Sequence, residues 1–160
     1  MNEKEFYTVR GYQLLEQNKS SLTPAMEDYL EMIYRNSLQD GNLRINKLAE
    51  LLNVKASSAS KMVQKLGESG FLNYEKYGNV MLTEGGKEFG EFLLRRHRII
   101  EDFLRFLECD NILAQTELIE HNINTYTLEN IKILNDFFTS NQEIADRFKQ
   151  YKKRMRRSVP

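Results

Sequence analysis

A chain of 160 residues has room for one domain or two small ones, and 41% hydrophobic residues are enough for a packed interior. No apolar run approaches the ~20 residues that cross a bilayer, so a membrane-spanning role is excluded. The 23 Lys+Arg balance the 23 Asp+Glu, so only the distribution of charge, and not its sum, bears on a polyanionic partner. Cys109 is the single cysteine, which rules out an intramolecular disulfide, and residues 1–21 lack the apolar core of a signal peptide. A cytoplasmic protein with no membrane partner is expected. Pro24 and Pro160 are the only prolines, and their positions favour a mainly α chain.

Residues 1–21 read as an N-terminal extension, polar with scattered aromatics, ending in the linker-like Asn18-Lys19-Ser20-Ser21. Thr23-Pro24 is a helix start. Threonine caps, and proline costs nothing at the first helical position, where the amide has no partner to lose. The helix is expected from about Ala25 to Asn36, with Met26, Tyr29, Leu30, Ile33 and Tyr34 as its apolar stripe. Asp28 and Glu31 lie i, i+3 beside that stripe, as dipole-complementing acids or as ligands. Gly41-Asn42 marks a turn and Leu43-Arg44-Ile45 a short extended piece. Asn46 is the expected cap of a helix from Lys47 to about Leu52.

Asn53 to Ala56 breaks the pattern, Ser57-Ser58 offers the next N-cap, and a second helix follows to Leu66. Helix, short turn, helix is the layout of a helix-turn-helix or of any packed helix pair. Ser57 and Ser58 at the helix N-terminus suit phosphate, while Ser60, Lys61, Gln64 and Lys65 are placed for base edges or phosphates. Phe71 to Glu75 and Val80 to Thr83 alternate like strands around Lys76-Tyr77-Gly78-Asn79. A β-hairpin directly after a helix-turn-helix is a winged helix, with Lys76 and Tyr77 at the wing tip. From Arg44 to Lys76 six cations face three acids, a modest local excess of the sign DNA requires. The winged-helix DNA-binding domain is assigned to residues 22–90 and a helical domain to residues 91–160.

Thr83 is expected to cap a helix from Glu84 to about Leu107 that carries His97. A further helix from Ile112 ends in Glu117-Leu118-Ile119-Glu120-His121. On a helix Glu117, Glu120 and His121 share one face, with Leu118 and Ile119 directed into packing. Oxygen and nitrogen donors on one face fit a divalent metal, and they also fit a solvated acidic face. The chain has only two histidines, His97 and His121. A helix from Thr127, with Leu128, Ile131, Ile133, Leu134, Phe137 and Phe138, has an apolar stripe wide enough for a subunit interface. The last helix, residues 141–157, ends in cations that suit a helix C-terminus, with a second phosphate-contacting patch as the alternative.

Five pieces in order carry a family resemblance. They are Thr23-Pro-Ala-Met-Glu-Asp-Tyr-Leu-Glu31, Ser57-Ser-Ala-Ser-Lys-Met-Val-Gln-Lys-Leu66, Tyr74-Glu-Lys-Tyr77, Arg96-His97 and Glu117-x-x-Glu-His121. With similar spacing from about Leu22 to Phe138, the chain resembles the metal-dependent transcriptional repressors of the DtxR/MntR family. The resemblance implies a homodimer with an N-terminal winged helix, a helical metal-binding and dimerisation domain, and double-stranded operator DNA as partner. It implies Mn(II), two ions per chain. Asp28, Glu117 and Glu120 would hold one ion, and Glu31, His97, Glu120 and His121 the other, with Glu120 bridging and the Glu117 carbonyl helping. The iron branch carries methionine at the position of Asp28 and cysteine at that of Glu117. Oxygens at both favour Mn(II) over Fe(II) or other divalent metals. Residues 1–20 extend beyond the family's usual start, and Ala56 replaces a common proline before the recognition helix, so no operator sequence can be inherited. The chain ends without the SH3-like third domain of the iron branch, which is expected of the shorter manganese type.

The expected mechanism is electrostatic. Four carboxylates gathered without metal repel one another, and two divalent cations balance them. Metal would then limit the spacing of paired recognition helices, which must match half-sites roughly 34–36 Å apart. Two rivals are a winged-helix regulator of another signal and a di-metal enzyme. No separate nucleophile or acid–base residue accompanies the cluster, which counts against the enzyme.

Overall fold

The computed structural model describes residues 22–39, 43–74 and 79–157, which fall into two compact units divided between Arg95 and Arg96. The readings for residues 1–21, for the turn at Gly41-Asn42 and for the wing tip lie outside the described residues.

The first unit opens with α1 (Pro24–Ser37). Thr23 is its N-cap, its hydroxyl accepting from the Met26 amide at 3.4 Å, and Pro24 occupies the first turn as its missing donor predicts. Strand β1 (Leu43–Arg44) leads directly into α2 (Ile45–Leu51), then α3 (Ala56–Glu68), β2 (Leu72–Tyr74), β3 (Asn79–Leu82) and α4 (Glu84–Phe106). The three strands form one antiparallel sheet in the order β1-β3-β2, with Leu43 opposite Val80 and Leu72 opposite Leu82.

Three helix starts differ from the sequence expectation. Arg44, and not Asn46, is the N-cap of α2, without a side-chain hydrogen bond. Lys55 caps α3 in the same bare manner, so Ala56 is helical and Ser57-Ser58 sit inside the first turn. In both cases the residue before the helix is held extended, and that backbone geometry supplies the boundary in place of a side-chain cap. The third start is Thr125, described below. Gly70, at φ 81°, takes the left-handed conformation that turns the chain from α3 into β2, where a side chain would be strained.

The core of the first unit is one apolar cluster. Leu30 and Ile33 of α1, Leu48 of α2, Val63 and Leu66 of α3, and Phe89 and Leu93 of α4 are all essentially inaccessible. Phe71 stacks on Phe89 with ring centroids 5.4 Å apart, which joins the β2 entry to α4. Thr83 secures the start of α4, its hydroxyl accepting from the Gly86 amide at 3.0 Å and donating to the Gly70 carbonyl at 2.7 Å.

The second unit holds the rest of α4 with α5 (Ile112–Glu120), α6 (Thr125–Ser140) and α7 (Gln142–Arg157). Asn124 caps α6, its side chain accepting from Thr127 at 2.8 Å, so the helix begins two residues before the expected Thr127. Phe106 stacks against Phe138 at 4.3 Å and Phe148 at 5.4 Å, which brings α4, α6 and α7 together. Asn135 adds a bond to the Ile99 carbonyl at 2.9 Å. Lys152 donates to the Leu107 carbonyl and to Glu108. On α6, Leu128 is buried while Ile133, Leu134 and Phe137 remain exposed, so the broad stripe is only partly covered within one chain.

Candidate metal centre and nucleic-acid interface

Each unit presents its own part of the expected ligand set. In the first unit Asp28 and Glu31 stand one turn apart on α1. Asp28 is exposed and Glu31 buried. Glu31 accepts from the Arg35 guanidinium, at 2.9 Å from Nε and 2.5 Å from Nη2, so its charge is compensated along its own helix. Burial holds the Tyr29 phenol above its usual range, so it stays neutral between the two acids.

In the second unit α4 and α5 bring three residues together. Nδ1 of His97 lies 3.1 Å from Oε2 of Glu120, and both side chains are almost wholly buried, at 7% and 2% exposure. Nε2 of His121 lies 3.8 Å from the other oxygen, Oε1 of Glu120. Glu120 thus has an imidazole near each of its oxygens. Glu117 is exposed one turn earlier on α5. Leu118 is 75% exposed, a correction to the expectation that it points into packing. The helix is short, ending at Glu120 with His121 as its C-cap, and too little of it faces this unit to bury both apolar residues.

The hydrogen bonds also constrain the imidazoles. An ionised Glu120 only accepts, so a neutral His97 carries its proton on Nδ1, the nitrogen that faces Glu120, and an ion held by both residues would take that proton's place. His121 is in the opposite state. Nη2 of the buried Arg96 is 3.2 Å from Nδ1 of His121, and a guanidinium only donates. A neutral His121 therefore carries its proton on Nε2, the atom that faces Glu120. Carboxylate oxygens with imidazole nitrogens suit a divalent cation, and a buried carboxylate between two imidazoles is the kind of donor such an ion uses. The residues fit the metal, on condition that Arg96 releases His121.

The DNA-facing candidates sort cleanly on α3. Ala59, Val63 and Leu66 are buried, whereas Ser57, Ser58, Ser60, Lys61, Gln64 and Lys65 are all exposed. Helical spacing puts the apolar three on one side and the polar six on the other. Gln64 is tethered to Glu68 at 3.0 Å and would exchange that bond for an external one. Arg44 is exposed at the N-cap of α2, and Lys76 and Tyr77 lie outside the described residues.

A three-helix and sheet unit of this order is a winged helix, and with the donor set of the second unit it defines the class of metal-dependent DNA-binding regulators. Residues 21–80 match the iron dependent repressor N-terminal DNA binding domain, and residues 83–149 match the iron dependent repressor metal binding and dimerisation domain. The chain belongs to the iron-dependent repressor family, whose members are transcriptional regulators and not enzymes. It is 40% identical over 134 residues to the HTH-type transcriptional regulator MntR of Shouchella clausii, covering 82% of this chain and 94% of that one. It resembles the solved structure of the manganese regulator SloR at 35% identity and a TM-score of 0.62, over 71% of this chain and 55% of that chain. A manganese-dependent transcriptional repressor solved in complex with manganese gives 31% identity and a TM-score of 0.63, over 70% of this chain and 53% of that one. The match thus spans about half the length of these solved chains. Among the described residues no helix is long and apolar enough to cross a membrane.

Proposed function

We propose that this chain is a cytoplasmic, manganese-responsive repressor that binds operator DNA as a homodimer. The observation that carries the reading is the donor set. Four carboxylates and two imidazoles, with no thiolate or thioether among them, suit Mn(II) better than a softer metal. Its 40% identity to an MntR regulator supports the same conclusion. Residues 22–90 carry DNA binding, with Arg44, the polar face of α3, and Lys76 and Tyr77 as contacts. Residues 91–160 carry dimerisation, for which Ile133, Leu134 and Phe137 are an uncovered apolar surface.

The binuclear assignment goes with this reading. Asp28, Glu117 and Glu120 hold one Mn(II), and Glu31, His97, Glu120 and His121 the other. Metal held by these residues would supply positive charge that neutralises the carboxylates. Because α1 supplies two ligands and the second unit four, loading restricts the arrangements the units can adopt, and DNA affinity rises with that restriction.

A gel shift with the upstream DNA in EDTA and in a series of divalent metals tests the function. Equal binding with and without Mn(II) would refute it. Metal counting on Glu120→Ala tests the site. Both ions should be lost, and retention of two per chain would remove Glu120 from the bridging role.

A further inference from the structure

The last helix carries a charge pattern that this function does not use. Between Arg147 and Arg157 seven of eleven residues are Lys or Arg and none is acidic, in a chain whose net charge is zero. A helix C-terminus accounts for cations in its last turn only, because the dipole's effect decays within that turn. Glu108 meets this run from the neighbouring element, and Arg154, within the run, has an interaction of its own. Lys152 lies 3.1 Å from Glu108, and its hydrogen bond and charge, with lesser help from Lys153 and Lys149, hold the Glu108 carboxyl below its usual range. Three lysines around one carboxylate leave a surplus of cations.

The surplus sits on a fixed platform. Phe148 packs against Phe106 and Phe138, at 5.4 Å and 5.6 Å, Ala145 is buried, and Lys152 is tied to the Leu107 carbonyl. Lys149, Lys153 and Arg156 follow one another at i, i+4 and i+7, so they share a face. Lys153 and Arg156 are exposed and Lys149 half-buried. Seven residues of helix rise about 10 Å, roughly three phosphate-to-phosphate steps along one DNA strand.

We propose that the C-terminal half of α7 is a second duplex-DNA contact, made to the phosphate backbone without reading sequence. It rests on the reading above, since duplex DNA is the polyanion which that reading gives the chain as partner. An anionic membrane would also attract the cations. A helix that lies in a bilayer surface must bury its apolar stripe there, however, and Phe148, in the middle of the stripe from Ile144 to Met155, is already engaged with Phe106 and Phe138.

The test uses the full-length protein with Mn(II) and the triple variant Lys149→Gln, Lys153→Gln, Arg156→Gln. Fluorescence anisotropy is measured on operator and scrambled duplexes across a range of KCl. The slope of log K against log salt should fall in magnitude by about 2 to 3 for each protomer in contact, and affinity for both duplexes should drop about tenfold at physiological salt. The ratio between the duplexes should not change, because phosphate contacts carry no sequence information. The variant Lys149→Arg, Lys153→Arg, Arg156→Lys should keep the wild-type slope, which separates charge from folding. An unchanged slope in the Gln variant overturns the proposal. So does an unchanged slope together with lost binding to phosphatidylserine vesicles, which would assign the helix to a membrane. If the wild type does not prefer its operator, the functional reading fails, while the slopes on scrambled duplex still decide this proposal.

Discussion

Gly85 and Gly86 stand side by side at the start of α4, and the same substitution at each should act in opposite directions. A Cβ at Gly85 would have the Thr83 hydroxyl at 3.9 Å as its nearest neighbour, an ordinary contact. Gly85→Ala then expresses helix propensity alone and should stabilise by about 0.5–1 kcal/mol. At Gly86 the same atom would press well inside van der Waals contact of the Phe71 carbonyl oxygen, with the Phe71 carbonyl carbon at 3.0 Å and a Leu82 methyl at 3.2 Å. That carbonyl has no freedom to retreat. It accepts from the Thr83 amide at 3.0 Å, and its ring is stacked on Phe89. Overpacking costs about 1–3 kcal/mol and a weakened buried hydrogen bond about 1 more, which exceeds the propensity gain. Gly86→Ala should be net destabilising by about 1–3 kcal/mol. Circular dichroism through thermal unfolding reads both variants, with Gly85→Ala melting about 2 °C higher and Gly86→Ala at least about 2 °C lower. If Gly86→Ala melts with or above the wild type, the close approach of α4 to the β2 entry is wrong.

Two more predictions concern the second unit. Arg96→Met removes a donor and a positive charge from His121, so Mn(II) affinity measured by calorimetry should rise about tenfold or more, the worth of one charged hydrogen bond; unchanged or weaker affinity would show that Arg96 does not compete with the metal. Glu108 has its folded pKa depressed, first by the Lys152 hydrogen bond and charge, so its contribution is complete above the ordinary carboxylate range and disappears as pH falls through it. Urea unfolding should therefore find the wild type more stable than Glu108→Gln at pH 7, with the gap closing as pH falls below the ordinary carboxylate range. A gap independent of pH would mean that the carboxylate charge is not what counts.

Much of the first unit was legible because its signals are local. Thr23-Pro24 marks a helix start whatever surrounds it, since a capping hydroxyl and a missing amide act within one turn. The alternation of Ala59, Val63 and Leu66 with Ser60, Lys61 and Gln64 separates the buried from the exposed face of α3 by helical period alone. The two-residue strand β1 was read as extended, but its partner was not, because Leu43 and Arg44 are too few to show a period and their pairing with β3 closes over more than thirty residues. The starts of α2 and α3 were misplaced for a related reason. Asn46, Ser57 and Ser58 are good caps by type, yet the extended backbone at Arg44 and Lys55 had already begun each helix.

The metal centre divides along the same line. By itself the sequence determined the candidate donors, two histidines and a set of carboxylates at helical spacing, because residue type and i, i+3, i+4 offsets are properties of a single helix. Tertiary structure alone decided what those donors face. His97 and Glu120 are 23 positions apart and meet only because α4 and α5 pack together. Leu118 turns outward on a helix too short to bury it, and Arg96 reaches His121 across 25 positions. No periodicity carries that last contact, since it depends on where two helices cross, and it determines which nitrogen of His121 holds the proton.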